Sequence, residues 1–410
     1  MHILLIHQAF AALDEPGGTR HHELARYLIS QGHQVTIIAS PISYLTGTDQ
    51  GKTIGKQMDD QGVVIIRSYT LPVLHRSFFW RVLSFLSFMI SSFFNGLLVK
   101  KVDLVWGTTP PIFQAPTAWL LARIKGVPFL LEVRDLWPAF AIAVGVLKNK
   151  ALISLSEWLE RFLYRHADWV MVNSPGYIDH VKRVGAHHVS LIPNGSDPEM
   201  FNPIADGAAF RKEHGLEDQF VVLYAGAHGI SNDLDVVLDA AEQLKADRAI
   251  RIVLIGSGKE KPRLVKEAET RDLVNVLFLP PVPKQDMCQV LAGADACLAI
   301  LKPIEMYKRT YPNKVFDYLA AGRPVILVID GVIRQVVEEA EAGIFVPPGN
   351  SSALADAIST LASNSQKCRT MGMNGRKTIE TRYSRVDLAT KFTALLEALR
   401  RKNARKNIGC

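Results

Sequence analysis

Cysteine is scarce in this 410-residue chain, and none of the four, Cys288, Cys297, Cys368 and Cys410, forms a C-x-x-C pair. The first residues, M-H-I-L-L-I-H-Q, carry no cleavable signal pattern, so the expectation is a reduced, cytoplasmic chain. The motif G-x-G-x-x-G is missing from both glycine-bearing loops that follow candidate strands, which disfavours dinucleotide binding of the dehydrogenase kind. There is no aromatic and basic platform for single strands, so nucleic acid is not an expected partner. Acidic residues are outnumbered: the formal charge is +7 and the pI near 9.1, which suits an anionic partner, whether nucleic acid, an acidic membrane surface or a phosphorylated small molecule, and charge alone does not choose among them. At 48% hydrophobic and 21% charged residues, the composition is ordinary globular protein, long enough for two domains with full cores.

What is present is one unit, twice. Ile3 to Ile6 is a short apolar run, followed by the loop A-L-D-E-P-G-G-T and a segment with Leu24, Ala25, Leu28 and Ile29 at helical spacing. Gln31-Gly32-His33 closes that helix and Val35 to Ala39 supplies the next strand, completing a βαβ unit. The second copy reads Phe220 to Tyr224 as strand, Ala225 to Asn232 as loop, Leu234 to Leu244 as helix and Ile250 to Ile255 as strand. Between the copies, Ile192 to Pro203 is dense in turn formers and lacks apolar periodicity. The expected fold class is α/β, with two Rossmann-like parallel-sheet domains at residues 1–198 and 199–384.

The stretch P-N-K-V-F-D-Y-L-A-A-G-R-P-V-I, Pro312 to Ile326, places a cation, a carboxylate and a helix start together. Asn313 reads as the N-cap and Gly322 followed by Pro324 as the stop. The first turn offers unpaired N–H groups and a partial positive charge that Lys314 reinforces, so a phosphate is its natural occupant. Asp317 lies three residues on, on the same face, where a carboxylate accepts hydrogen bonds from a vicinal diol. A ribose carrying a diphosphate fits the pair.

These residues resemble the signature of the family 4 glycosyltransferases of the GT-B fold: a basic residue at the helix start, a ribose-binding acid within it, then A-G-x-P-V-I. The segment I-P-N-G-S-D-P-E-M-F resembles that family's I-P-N-G-x-D-x-x-x-F. Members usually carry Glu where this chain has Asp317, and a second Glu eight residues earlier, where it has Arg309, whose role is unassigned. The resemblance implies two Rossmann-like domains facing each other across a cleft, with a final helix, residues 385–410, packing back onto the first.

The same resemblance assigns the loops. Gly17 and Gly18 let backbone N–H groups approach a donor diphosphate. Ala225 to Asn232 stands where relatives carry an Arg and a Lys for the phosphates; here His228, the Gly229 backbone and Asn232 remain as donors, so either His228 is protonated in the complex or Lys314 bears more of the load. In E-V-R-D-L-W-P, at the C-terminal end of an apolar strand, Arg134 and Asp135 resemble a version found in bacterial polysaccharide transferases such as fucosaminyl transferases. Asp135 would bind sugar hydroxyls or orient the acceptor and Arg134 would meet a phosphate, with an Arg-Asp pair shaping the loop as the structural alternative. His21, His22, His187 and His188 are not read as a metal site, because adjacent histidines diverge on a helix and the fold works without one.

Phe78 to Val99 is the most apolar stretch. Arg81, Ser84, Ser87, Ser91 and Asn95 form a polar stripe at helical spacing, which argues against a bilayer span. A core crossover helix and an interfacial helix flanked by His75, Arg76, Lys100 and Lys101 both fit, and the favoured reading is partial immersion with Phe85 and Phe88 outward. The basic tail Arg400 to Lys406 either adds attraction to anionic lipid or is a solvated end.

The expected activity is retaining transfer of a sugar from a UDP-linked donor to a polyprenyl diphosphate-linked saccharide, on the cytoplasmic face of the inner membrane, during O-antigen or capsule-type polysaccharide assembly. Lys314, Arg134 and Asp135 are the expected catalytic residues, and neither a metal nor another cofactor is expected. A nucleotide-sugar epimerase or hydrolase of the same fold is the alternative.

Overall fold

The computed structural model describes residues 1–43, 47, 51–74 and 76–408. The chain divides into two compact units, Met1–Ala11 with Gly18–Pro193 and Val386–Cys410, and Ala12–Gly17 with Asn194–Arg385. In the linking segment the division falls after Pro193, where the sequence reading has residue 198.

The first unit runs β1 (His2–Ile6), α1 (Arg20–Ser30), β2 (Gln34–Ala39), β3 (Gly55–Met58), β4 (Val64–Arg67), α2 (Phe78–Leu98), β5 (Leu104–Thr109), α3 (Gln114–Lys125) and β6 (Phe129–Val133), then α4 (Ala139–Ala143), α5 (Lys150–His166), β7 (Trp169–Val172), α6 (Ile178–Val184) and β8 (Val189–Leu191). Its sheet has the order β3-β4-β2-β1-β5-β6-β7-β8, parallel apart from the β3–β4 pair. Central strands covered on both faces should read as unbroken apolar runs, and Ile3 to Ile6 and Leu104 to Trp106 are fully buried.

The second unit runs α7 (Ala208–His214), β9 (Phe220–Ala225), α8 (Leu234–Gln243), β10 (Ile250–Ile255), α9 (Lys261–Thr270), β11 (Val276–Leu279) and α10 (Met287–Ala292). It continues with β12 (Ala296–Ile300), α11 (Asn313–Ala320), β13 (Val325–Val328), α12 (Val332–Glu339), β14 (Gly343–Phe345), α13 (Ser351–Ala362) and α14 (Ser365–Thr378). All six strands are parallel, in the order β11-β10-β9-β12-β13-β14. Counted within the unit this is 3-2-1-4-5-6, whose switch point lies between β9 and β12, where such sheets take their ligands. The first unit has its switch between β1 and β5. The closing helix α15 (Arg385–Ile408) returns to the first unit and buries Phe392 against Trp106, ring centroids 4.7 Å apart. The backbone of the basic tail is part of that helix.

Helix α2 corrects the sequence reading, because its faces are reversed. Phe85 and Phe88 are buried, Phe85 stacking on Phe113 at 5.5 Å. The polar stripe lies against residues 68–74, with Ser84 buried and the others partly so. Ser84 donates to the carbonyl of Leu71, Ser91 to that of Tyr69, and Arg81 to that of Leu74, while Asn95 donates to Ser68 Oγ and Ser87 accepts from the Leu71 N–H. What faces outward is apolar: Phe79 is 65% exposed, Ile90 57%, Phe94 61% and Leu98 76%. The flanking His75 lies outside the described residues.

Candidate active site

At the switch point of the second unit, β9 delivers Ala225 into a loop that runs to Asn232. Tyr318 of α11 pins this strand end, accepting from the Ala225 N–H at 2.9 Å and donating to the Ala225 carbonyl at 3.3 Å. The loop lies against the one after β10, and glycine is obligatory there. A Cβ on Gly256 would stand 1.8 Å from the Gly226 carbonyl oxygen, and one on Gly258 2.4 Å from that of His228.

Lys314, the second residue of α11, points into this glycine-lined corner. Its Nζ lies 3.8 Å from the centroid of the Tyr224 ring and has no hydrogen-bond partner among the described residues. Burial pushes the ammonium down to about 7 from its ordinary 10.5, because nothing negative compensates the desolvated charge. An unpaired buried cation beside glycine loops at a strand's C-terminal end is a receptor for an anion.

The other expected donors sort themselves around it. His228 is fully buried with both ring nitrogens unpartnered, and burial, then the nearby Lys261 and Lys314, push it down to about 4. Burial thus favours the neutral imidazole at His228. Gly229 has an extended backbone, φ −112° and ψ 167°, and accepts from the Asn232 N–H at 3.0 Å. Asn313 is not the N-cap. Pro312 occupies that position, and the Asn313 amide instead donates to Asp317 at 3.2 Å. Gly322 does stop the helix in the left-handed conformation at φ +65°. Arg309 ends the short turn Glu305–Arg309 that precedes α11.

Asp317 is bonded to residues other than Lys314. One oxygen accepts from Ser196 Oγ at 2.8 Å, and the other from Asn313 and from the Lys284 ammonium. The pair is nearly buried, with side-chain exposures of 8% for Lys284 and 14% for Asp317. Asp317→Asn strands the Lys284 charge, so we expect a loss of about 3 to 5 kcal/mol of stability, measured by urea unfolding, besides any effect on nucleotide affinity.

The sequence reading missed three lysine and tyrosine partners. Lys284, Tyr224 and Lys261 all shape this corner, Lys261 donating to the carbonyls of Gly256 at 2.7 Å and Leu279 at 2.6 Å. Their spacing in sequence carries no motif.

In the first unit, Arg134 and Asp135 follow β6. Arg134 donates to Thr108 Oγ1 at 3.0 Å, to the carbonyls of Thr109 and Pro110, and to His7 Nε2 at 3.0 Å. The guanidinium thus stitches the ends of β1, β5 and β6 together. Asp135 is different: its Oδ1 is buried without a hydrogen-bond partner among the described residues, and burial pushes the carboxyl up to about 7 against the opposing pull of Arg134. Beside them lies a buried network that the sequence did not announce. Glu132 receives Arg20 Nε on one oxygen at 3.0 Å and His21 Nε2 on the other at 2.7 Å, and Arg20 also donates to the carbonyls of Ile192 and Pro193. His22 pairs with Asp59 at 2.7 Å, and His188 stacks on Trp169 at 4.9 Å.

Gly17 and Gly18 are exposed before Thr19, the N-cap of α1. The expected shared placement in the N-terminal domain is corrected for Gly17, since Ala12–Gly17 groups with the second unit, where the Gln285 N–H donates to the Leu13 carbonyl at 3.2 Å.

The comparisons agree with this architecture. Residues 206–378 match the family described as glycosyl transferases group 1, and residues 17–195 match the glycosyl transferase 4-like domain. WcaI of Escherichia coli K12, named for colanic acid biosynthesis, is 27% identical over 320 residues, covering 75% of this chain and 78% of that protein. The sucrose-phosphate synthase of Thermosynechococcus elongatus superposes with a TM-score of 0.79 at 19% identity, covering 97% of this chain and 98% of the other. HepE of Anabaena, solved with UDP, gives 0.71 at 17% identity, covering 97% and 100%. With its two halves matched by these two models, the chain belongs to the family 4 glycosyltransferases of the GT-B fold.

Proposed function

We propose that this glycosyltransferase takes a sugar from a UDP-linked donor and transfers it, with retention of anomeric configuration, to a polyprenyl diphosphate-linked saccharide at the cytoplasmic face of the inner membrane. The observation that carries the donor half is the Lys314 ammonium, buried, unpartnered and set among glycine loops at the switch point. A diphosphate would supply the missing negative charge, and the lysine would hold its proton once paired. The UDP complex of HepE supports the choice of nucleotide, and the naming of WcaI for colanic acid supports surface polysaccharide as the product class.

In this reading the acceptor hydroxyl attacks from the leaving-group face and its proton passes to a diphosphate oxygen. The protein's contribution is electrostatic and positional: Lys314 stabilises departing charge, and Asp135 orients acceptor hydroxyls from the first unit. No metal or other cofactor takes part.

The test is mass spectrometry of nucleotides retained by the purified protein, followed by calorimetric titration with UDP, GDP and ADP. A UDP-sugar in the first and selective UDP binding in the second are expected. Retention of a guanosine or adenosine diphosphate sugar would overturn the donor assignment, and hydrolysis of donor with no transfer to a lipid-linked acceptor would overturn the acceptor.

A further inference from the structure

An amphipathic helix on a soluble domain turns its apolar side to the core and its polar side to water. Helix α2 buries Phe85 and Phe88 in that way, yet it also turns a second apolar stripe outward while its polar side chains bond to the neighbouring chain. Its Ser84, Ser87 and Ser91 hydroxyls bond to backbone groups of residues 69–71 and its Asn95 amide to the Ser68 hydroxyl, which ties the helix to its unit. Its last carbonyls are also taken, since Lys125 Nζ donates to Leu97 at 3.2 Å and Val99 at 2.7 Å. The outward stripe of Phe79, Ile90, Phe94 and Leu98 is thereby held open. The neighbouring α3 packs closely alongside, where a Cβ on Gly96 would stand 2.4 Å from Leu121, and it adds exposed Leu120 and Ile124. An apolar face of this length is not left to water without a purpose.

Charge identifies the occupant. From residue 61 to residue 102 the chain contains neither Asp nor Glu, while Arg76, Lys100 and Lys101 stand exposed at the two ends of α2. An apolar stripe ended by cations and free of acids matches a bilayer whose headgroups are anionic: rings and aliphatic chains enter the acyl boundary and the basic side chains remain with the phosphates. A second protein would have to present a greasy groove edged with acid to match it equally.

We infer that the outer face of α2, extended by α3, is a docking surface for an anionic lipid bilayer, with α2 lying in the interface plane. The inference rests on the proposed lipid-linked acceptor only in its purpose; the surface stands on its own geometry.

The experiment is co-sedimentation of the full chain with phosphatidylglycerol and with phosphatidylcholine vesicles, for the native protein and for Phe79→Ser/Phe94→Ser. The native protein should pellet with the anionic vesicles, and the double variant should lose about tenfold or more of its partitioning with an unchanged melting temperature. Lys100→Glu/Lys101→Glu should abolish the preference for anionic lipid. A native protein that stays in the supernatant with both vesicles, or a double variant that pellets equally, overturns the inference. So does a native dimer in sedimentation velocity that the double variant dissolves, because a second copy would then cover the face. UDP titration of the same variant keeps the two readings apart: binding of UDP without binding of vesicles defeats the docking surface alone, and the converse defeats the donor assignment alone.

Discussion

Lys314→Met should lower kcat by roughly 10²-fold or more while making the unliganded protein more stable at neutral pH. The first effect follows because charge that develops on a departing diphosphate is worth most to a preorganised cation, about 2.7 to 4 kcal/mol for one such donor. The second follows from burial. The native ammonium titrates near 7 and the unfolded one near 10.5, so the folded protein binds fewer protons between those values and its stability rises with pH across them. At and below pH 7 the full penalty is present, and methionine, of similar shape, removes it, a gain of about 2 to 5 kcal/mol. The gain should shrink to nothing above pH 10.5. UDP affinity of the native protein should fall as pH rises above 7 and that of the variant should not. Equal loss of kcat and of UDP affinity, or a variant that melts below the native protein at pH 7, would refute this account of Lys314.

The second large effect concerns Asp135→Asn. Its carboxyl is raised to about 7 from 3.8, so the native state holds a proton that the unfolded state releases, and stability is lost as pH rises through that window. Above pH 7 the buried carboxylate is a full liability. The asparagine variant should therefore be more stable by about 1 to 4 kcal/mol at pH 8 and indistinguishable near pH 4. Its transfer rate should fall by about 10²-fold, since a neutral amide cannot accept the acceptor hydroxyl with charge assistance. A stabilised variant with full activity would leave Asp135 a packing residue without a role in transfer.

Both positions were legible in sequence, and their surroundings were not. The strands, the order of the βαβ units and the stop at Gly322 follow from period and turn chemistry, which are local. Lys314 could be placed at a helix start for the same reason. Its loneliness could not, because it depends on Asp317 turning to Lys284, 33 residues away, and on Tyr224 rising beneath it from another strand. Glu132 likewise meets Arg20 at a separation of 112 residues. Periodicity gave α2 two faces, yet it carries no information on which face the protein covers. Serine decided that, since a hydroxyl satisfied by a backbone carbonyl is as content inside as a phenylalanine.

The reversed helix also bears on how the chain is made. Residues 78–98 leave the ribosome before β5 and α3, at residues 104–125, and before Phe113, on which Phe85 will stack. For that interval the side that will meet Phe113 and α3 is open as well as the outward stripe, and completion of the fold closes only the first. Synthesis close to a bilayer resolves both stages with one surface, while high-level expression away from membranes exposes a sticky nascent segment to its own copies. Recombinant yield of soluble protein should accordingly depend on mild detergent during lysis more than on growth temperature or on a refolding step.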